Sequence, residues 1–322
     1  MADTHYLEFE EHIQDIDKKI ADLRKSSNPE KGLDFSVEIA ELEKQRNYIM
    51  ETIYKNLTPW QVVLVARHPQ RPLFQDYVKG IFDEFIELHG DRLFRDDRAI
   101  IGGLARIGSE KFIIIGEEKG KNTKEKILHN FGMPQPEGYR KALRLMKIAE
   151  KFHLPVITFV DTPGAFPGIE SEERGQGEAI ARNLFEISAI KTPIITTVIG
   201  EGGSGGALAI AIADRVLMLE NAIYSVISPE GCASILYRDA SKMEMAAKAL
   251  KLTAKDLYNL NIIEEIIKEP VGGAHRDPKL IIQRTKEAIL RHYYEIRKIP
   301  SAKLIQKRYD RYRRLGIVVY ES

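Results

Sequence analysis

Residues 194–214 read IITTVIGEGGSGGALAIAIAD. A β-branched run, Ile194 to Ile199, breaks into five glycines and one serine within the seven residues Gly200 to Gly206, and small helix formers follow at once. The pattern predicts a strand, a glycine loop and the N-terminus of a buried helix. Glycine lets the backbone take positive φ and approach a ligand, and the first N–H groups of a helix have no partner inside it. Aligned free donors at the positive end of a helix dipole form an anion site.

Which anion is the next question. A phosphate-cradling Walker loop needs Lys then Ser or Thr after its last glycine, and Gly206 and Ala207 stand there instead. A dinucleotide fingerprint fits better, with Gly200, Gly202 and Gly205 spaced as G-x-G-x-x-G and Glu220 following the apolar run Val216 to Leu219. The helical segment before Asp214 is short for such a unit. The third reading is an oxyanion hole, where backbone N–H groups stabilise charge that develops on an enolate-type oxygen. Tight backbone packing with no ligand is the bland alternative.

A second loop of the same kind lies upstream. Val156 to Val160 reads as a strand and ends in Asp161-Thr162-Pro163-Gly164-Ala165-Phe166-Pro167-Gly168, after which Ile180, Leu184 and Ile187 step at helical spacing. Asp-Thr-Pro-Gly alone mimics a GTP-binding motif, but no Walker loop precedes it. A Rossmann domain accounts for one such loop, not for two successive strand–loop–helix units.

These residues carry a family resemblance. The runs PEGYRKALRLMKIAEKFHLPVITFVDTPGAFPG, EERGQGEAIARNLFEIS and VIGEGGSGGALAIAIADRVLMLENAIYSVISPEGCASILY, with Ala66 to Pro72 and Glu269 to Arg276, resemble the carboxyltransferase alpha-subunit family of bacterial-type acetyl-CoA carboxylases. The resemblance implies an α/β, crotonase-like (ClpP/crotonase) fold of stacked strand–strand–helix units. It also implies a homologous beta subunit in an α2β2 enzyme that moves a carboxyl group from carboxybiotin, on a biotin carboxyl carrier protein, to acetyl-CoA, giving malonyl-CoA. Biotin carboxylase, in the same assembly, would consume the ATP. Zinc is expected only in the beta subunit, and no cofactor is expected to be covalently bound here.

That chemistry suits a site built of glycines. Negative charge develops on a ureido oxygen and on an enolate oxygen, so two sets of preorganised donors are needed and no side-chain base. The expected alpha-side hole is formed by backbone N–H groups among Gly203, Ser204, Gly205 and Gly206. Gly164, Ala165, Phe166, Pro167, Gly168 and Gly202 are expected to shape the biotin side. A single-chain hydratase or isomerase of the same superfamily would need an acid beside the loop, where Leu208 and Ala209 stand.

Composition agrees with an assembly subunit. The 322 residues can bury a full core, and 48 Lys and Arg against 47 Asp and Glu predict no global pull toward nucleic acid or membrane. The lone Cys232 excludes an internal disulfide and a cysteine-rich zinc site. No apolar run reaches membrane-spanning length, and the acidic start lacks the marks of a signal or transit peptide, so a cytoplasmic protein is expected.

The ends read as helical. Phe9, Ile13, Ile16, Ile20 and Leu23, then Ile39, Leu42, Arg46, Ile49 and Ile53, predict a helical hairpin over 1–58, turning at Ser26 to Gly32 with Asp34 or Ser36 as cap. Its seam would close on its own domain or on a partner. The carboxyltransferase domain is expected over 59–295, and a basic helical tail over 296–322. From Pro278 to Leu315 basic residues alternate with tyrosines, the commoner meaning being a solvated or subunit-facing helix rather than a nucleic-acid surface. Lys119, Lys121, Lys124 and Lys126 are read as a solvated loop, with acidic groups of CoA or the carrier as the alternative. His68, His129 and His275 lack metal-ligand spacing and are read as structural.

Overall fold

The computed structural model describes residues 5–27 and 33–316. The chain opens with α1 (Glu11–Ser26) and α2 (Ser36–Lys55), which pack side by side as the expected hairpin. Ile13, Ile16 and Ile20 are buried, and Asp34 Oδ1 accepts the Ser36 N–H at 2.9 Å. Asn28, Pro29 and Gly32 of the expected turn lie outside the described residues. The hairpin is tied to its own chain: the buried Glu10 carboxylate accepts from Arg276 (3.0 Å) and from Tyr54 (3.1 Å).

The helices α3 (Pro59–Ala66) and α4 (Phe74–Ile81) lead into β1 (Glu84–Glu87), β2 (Ile100–Ile107) and β3 (Glu110–Glu117). Next come α5 (Thr123–Leu128), α6 (Pro136–Lys151), β4 (Val156–Thr162), α7 (Ile169–Glu173) and α8 (Gln176–Ser188). They are followed by β5 (Ile194–Gly203), α9 (Ser204–Ala211), β6 (Arg215–Leu219) and β7 (Ile223–Ser225). The chain closes with α10 (Pro229–Tyr237), α11 (Met243–Leu250), α12 (Ala254–Asn259), β8 (Glu265–Ile267), α13 (Pro278–Ile296) and α14 (Ser301–Arg313).

The strands form one sheet in the order β1-β2-β3-β4-β5-β6-β8, with β7 paired to the end of β5. β1, β2 and β3 are antiparallel neighbours, and every pairing from β3 onward is parallel. Parallel strands covered on both faces read as unbroken apolar runs, and β4 is buried at every position. Inside it, Thr158 is satisfied by a hydroxyl–hydroxyl bond of 2.7 Å to Thr196 of β5. Gly102 of β2 gives room to Leu145 of α6, while Gly116 of β3, in register with Ile101, gives room to Phe74 of α4. Adjacent residues face opposite ways, so α6 and α4 cover opposite faces of the sheet.

One expectation needs correcting. The glycines from Gly200 to Gly203 do not form a loop: β5 runs through them, and the chain enters α9 directly at Ser204. Pairing decides this. Gly202 aligns with Thr162 of β4, while Glu201, Gly202 and Gly203 align with Ile223, Tyr224 and Ser225 of β7. A strand flanked on both sides holds glycines that would be loop-forming alone.

The basic C-terminal stretch is also not simply solvated. Arg308 of α14 is 1 % exposed and donates to both Asp214 carboxylate oxygens, at 3.0 and 2.7 Å, and to the carbonyls of Ile187, Ile190 and Thr192. Arg311 pairs with Glu264, Arg291 with Glu265 and Arg297 with Glu110. Much of the positive charge is therefore spent on the chain's own carboxylates and carbonyls.

Candidate active site

The two glycine-bearing turns sit at the C-terminal ends of adjacent parallel strands, β4 and β5, where α/β sheets bind ligands. After β4 the chain turns at Pro163-Gly164, and Thr162 Oγ1 braces the turn by accepting the Gly164 N–H (3.0 Å) and donating to its carbonyl (2.8 Å). Phe166 N–H donates to Pro134 O (2.9 Å), anchoring the turn to the start of α6. Pro167 is exposed at the tip, and Gly168 caps α7, its carbonyl accepting from Ser171.

The turn after β5 is sharper. Ser204 takes φ of +51°, the left-handed region, between a strand and a helix. A residue with a Cβ held there costs about 1 kcal/mol or more, a strain found where geometry serves function. Gly203 offers no side-chain cap to α9. Among the described residues, no loop carbonyl or side chain accepts from the N–H groups of Ser204, Gly205, Gly206 or Ala165.

Two glycines are there because the turns touch. A side chain on Gly203 would strike the Pro163 carbonyl, and a methyl on Gly206 would stand 2.6 Å from Ala165 N. Gly203 and Gly206 are thus brought against Pro163, Gly164 and Ala165, Gly205 faces Ile180, and Phe166, Pro167 and Gly168 follow in the chain. Gly202 is buried beside Tyr224 and faces away from the turn. Beside Ser204 opens an apolar cavity of about 780 Å³, walled by Leu184, Leu208, Tyr224, Leu257, Ile262 and Tyr309.

Beneath the turns lies an ion network that sequence reading missed. Lys119, expected in a solvated loop, follows β3 and is only 17 % exposed, its Nζ 2.7 Å from Asp161 and 2.7 Å from Glu201. Lys121 and Lys124 remain exposed as expected. Glu201 also binds Arg67 (2.6 Å), which continues to Glu230 (2.5 Å). Burial would raise the Glu201 pKa, yet Lys119 and Arg67 hold it down to about 2. The neighbouring Glu117 carboxyl is fully buried and pushed well above the usual range by that burial. The sequence signal for Lys119 was its place two residues past the end of an apolar strand, Phe112 to Ile115, that continues through Gly116 into Glu117.

The strings at 66–72 and 269–276 also meet. Arg71 and Glu269, 2 % and 0 % exposed, pair at 2.5 Å, and Arg71 Nε donates to Ile199 O of β5 (2.7 Å). His68 stacks on His275 with ring centres 3.6 Å apart, and burial followed by His68 holds the His275 pKa down to about 2, so that ring is neutral. His129 packs with Nδ1 on the Arg98 carbonyl. Among the described residues no group of His, Cys, Asp and Glu is placed to hold a metal ion, and no helix is long and apolar enough to cross a membrane.

The dinucleotide reading loses its acid: Glu220 accepts from Lys268 Nζ (2.6 Å) and from the Glu269 N–H (3.1 Å). The hydratase reading finds the acids at the strand ends, Asp161 and Glu201, locked by Lys119.

Comparison with known proteins decides the family. The family described as acetyl co-enzyme A carboxylase carboxyltransferase-like matches residues 6–316. The chain belongs to that family. It is 54 % identical over 316 residues to the acetyl-coenzyme A carboxylase carboxyl transferase subunit alpha of Geobacter metallireducens, covering 98 % of this chain and 99 % of the relative. The Fusobacterium nucleatum protein of the same name is 53 % identical over 311 residues, covering 97 % and 99 %. Among solved structures, the Pseudomonas aeruginosa geranyl-CoA carboxylase beta subunit matches with TM-score 0.55 and 19 % identity, over 75 % of this chain and 45 % of that one. The transcarboxylase 12S hexamer matches with TM-score 0.53 and 21 % identity, over 65 % and 40 %. These likenesses show the fold, the crotonase-like one of carboxyltransferases. Neither the Rossmann nor the hydratase alternative is favoured by any of them.

Proposed function

We propose that this chain is the alpha half of an α2β2 acetyl-CoA carboxylase carboxyltransferase. It would work in the cytoplasm with a beta subunit, a biotin carboxyl carrier protein and biotin carboxylase, to which the ATP chemistry belongs. The observation that carries the reading is the close approach of two turns, Gly203 to Pro163 and Gly206 to Gly164 and Ala165, whose N–H groups at Ala165, Ser204, Gly205 and Gly206 are left without a partner among the described residues. Preorganised backbone donors there would hold negative charge at no reorganisation cost.

The carrier's biotinyl group would supply the carboxyl group to be moved to acetyl-CoA. The residues fit such a group: donors for a ureido oxygen stand beside an apolar wall of Leu208 and Tyr224. Ser204 sets the direction of the donors through its backbone, and Gly164 and Gly168 shape the facing rim. No side chain of this chain needs to take a proton; the acids at the bases of the turns, Asp161 and Glu201, are paired with Lys119. The acetyl-CoA pocket and any zinc are assigned to the beta subunit.

The test is the reverse reaction, malonyl-CoA with free biotin as acceptor. The chain alone should be inactive and free of stoichiometric zinc, and activity should appear with the beta subunit. Within that complex, Ser204→Ala should lose only about threefold, whereas Gly205→Pro, which deletes an N–H, should lose about a hundredfold or more. Full turnover by the chain alone would sink the two-subunit site, and equal severe losses in both variants would assign the chemistry to the serine hydroxyl.

A further inference from the structure

Lys119 ties together β4 and β5, the two strands that lead into the turns. Its two carboxylate partners are the residues from which the turns spring: Asp161 stands two before Pro163, and Glu201 two before Gly203. Asp161 and Glu201 side chains are 3 % and 10 % exposed. The Asp161 carboxylate also accepts the Glu201 N–H (2.9 Å), and it does so where the β4–β5 pairing shifts register between Val160 and Thr162. Ladder bonds are fewest there, so side chains set the spacing of the strand ends. Glu201 is gripped from two sides, Lys119 on Oε2 and Arg67 on Oε1.

We propose that Lys119 is a positioning residue for carboxyl transfer, holding the ends of β4 and β5 at the separation that aims the Ala165 and Gly205–Gly206 N–H groups at one oxygen. The proposal rests on the carboxyltransferase reading above. Without Lys119, Asp161 has no cation and Glu201 keeps only Arg67, so the two carboxylates repel across the gap and the strand ends part or one acid takes up a proton. Donors that must stand within roughly 0.5 Å of their working positions then lose aim. The loss falls on the charge that develops during reaction, hence on kcat, because Lys119 does not line the cavity.

The test uses the complex of the full chain with its beta subunit and the reverse reaction. Lys119→Met should lower kcat about a hundredfold with KM for malonyl-CoA within about threefold, and Lys119→Arg should recover most of the loss. The ratio of Lys119→Met to wild-type kcat should rise as pH falls from about 8 to about 6, since protonation of one carboxylate relieves the repulsion. A merely structural role moves neither the pH dependence nor the split between kcat and KM. Should Lys119→Met fail to assemble, the isosteric Glu201→Gln decides by the same readouts, with about a tenfold loss in kcat expected. A kcat within about threefold of wild type in an assembled variant, or a loss equal at all pH values and unrelieved by Arg, overturns the proposal. An inactive wild-type complex overturns the carboxyltransferase reading itself, and this inference with it.

Discussion

At the scale of single residues the glycines of the two turns have separable jobs. A methyl added at Gly205 would meet only Ile180 carbons at 3.6 Å, an ordinary contact, while one at Gly206 would press on Ala165 N at 2.6 Å. Gly205→Ala should therefore cost the complex less than about tenfold in kcat, and Gly206→Ala about a hundredfold or more, since the second change moves a donor and the first keeps one. Comparable losses would mean that backbone freedom, not the approach of the turns, is what Gly206 provides. The density of glycines and the pairing of two glycine turns at adjacent strand ends were legible in the sequence. The reason for each glycine was not, because it lies in a neighbour 40 residues away in the chain. Lys119 was misread for the same cause: a lysine among lysines looks solvated until Asp161 and Glu201 are brought beneath it.

At the scale of elements, α14 acts as a clamp. Arg308 reaches Asp214 and the carbonyls that end α8, while Tyr312 Oη accepts the Ala213 N–H (2.9 Å) just past α9. Removing one partner of a buried ion pair strands the other, typically at 3–5 kcal/mol, so Arg308→Met should lower stability by about that much. The urea midpoint of the full chain checks this, and a shift smaller than about 1 kcal/mol equivalent would show that water replaces the guanidinium. Apolar periodicity located α1, α2, β4 and α8. It missed β7 and the strand character of Gly200 to Gly203, which come from pairing between segments that carry no alternating pattern of their own.

For the whole molecule, buried carboxylates set a pH optimum of stability. Glu201, held down to about 2 against an ordinary 4.5, stabilises fully above pH 4.5 and loses that contribution as pH falls through 2. The shift is worth about 3 kcal/mol. Asp97, raised to about 6 by burial, works the other way: its penalty above pH 6 is relieved as pH falls toward 3.8. Urea midpoints should rise from about pH 7 to about pH 5 and fall below about pH 4. Glu201→Gln should narrow its gap to wild type toward about pH 2. A gap that is constant with pH would mean that Glu201 titrates normally.

The Arg71–Glu269 pair joins residues 198 apart in the chain. During synthesis at roughly 5–20 residues per second, Arg71 is added about 10–40 s before its carboxylate exists. Its other interior partner, the Ile199 carbonyl, is itself made 128 residues after Arg71, and until Glu269 follows, β5 lacks the segment that covers it. The nascent chain therefore waits in a state that exposes apolar strands, and a product cut short before Glu269 has no route out of it. For such a fragment the expected fate is capture by chaperones or degradation, whatever the quality of its two glycine turns.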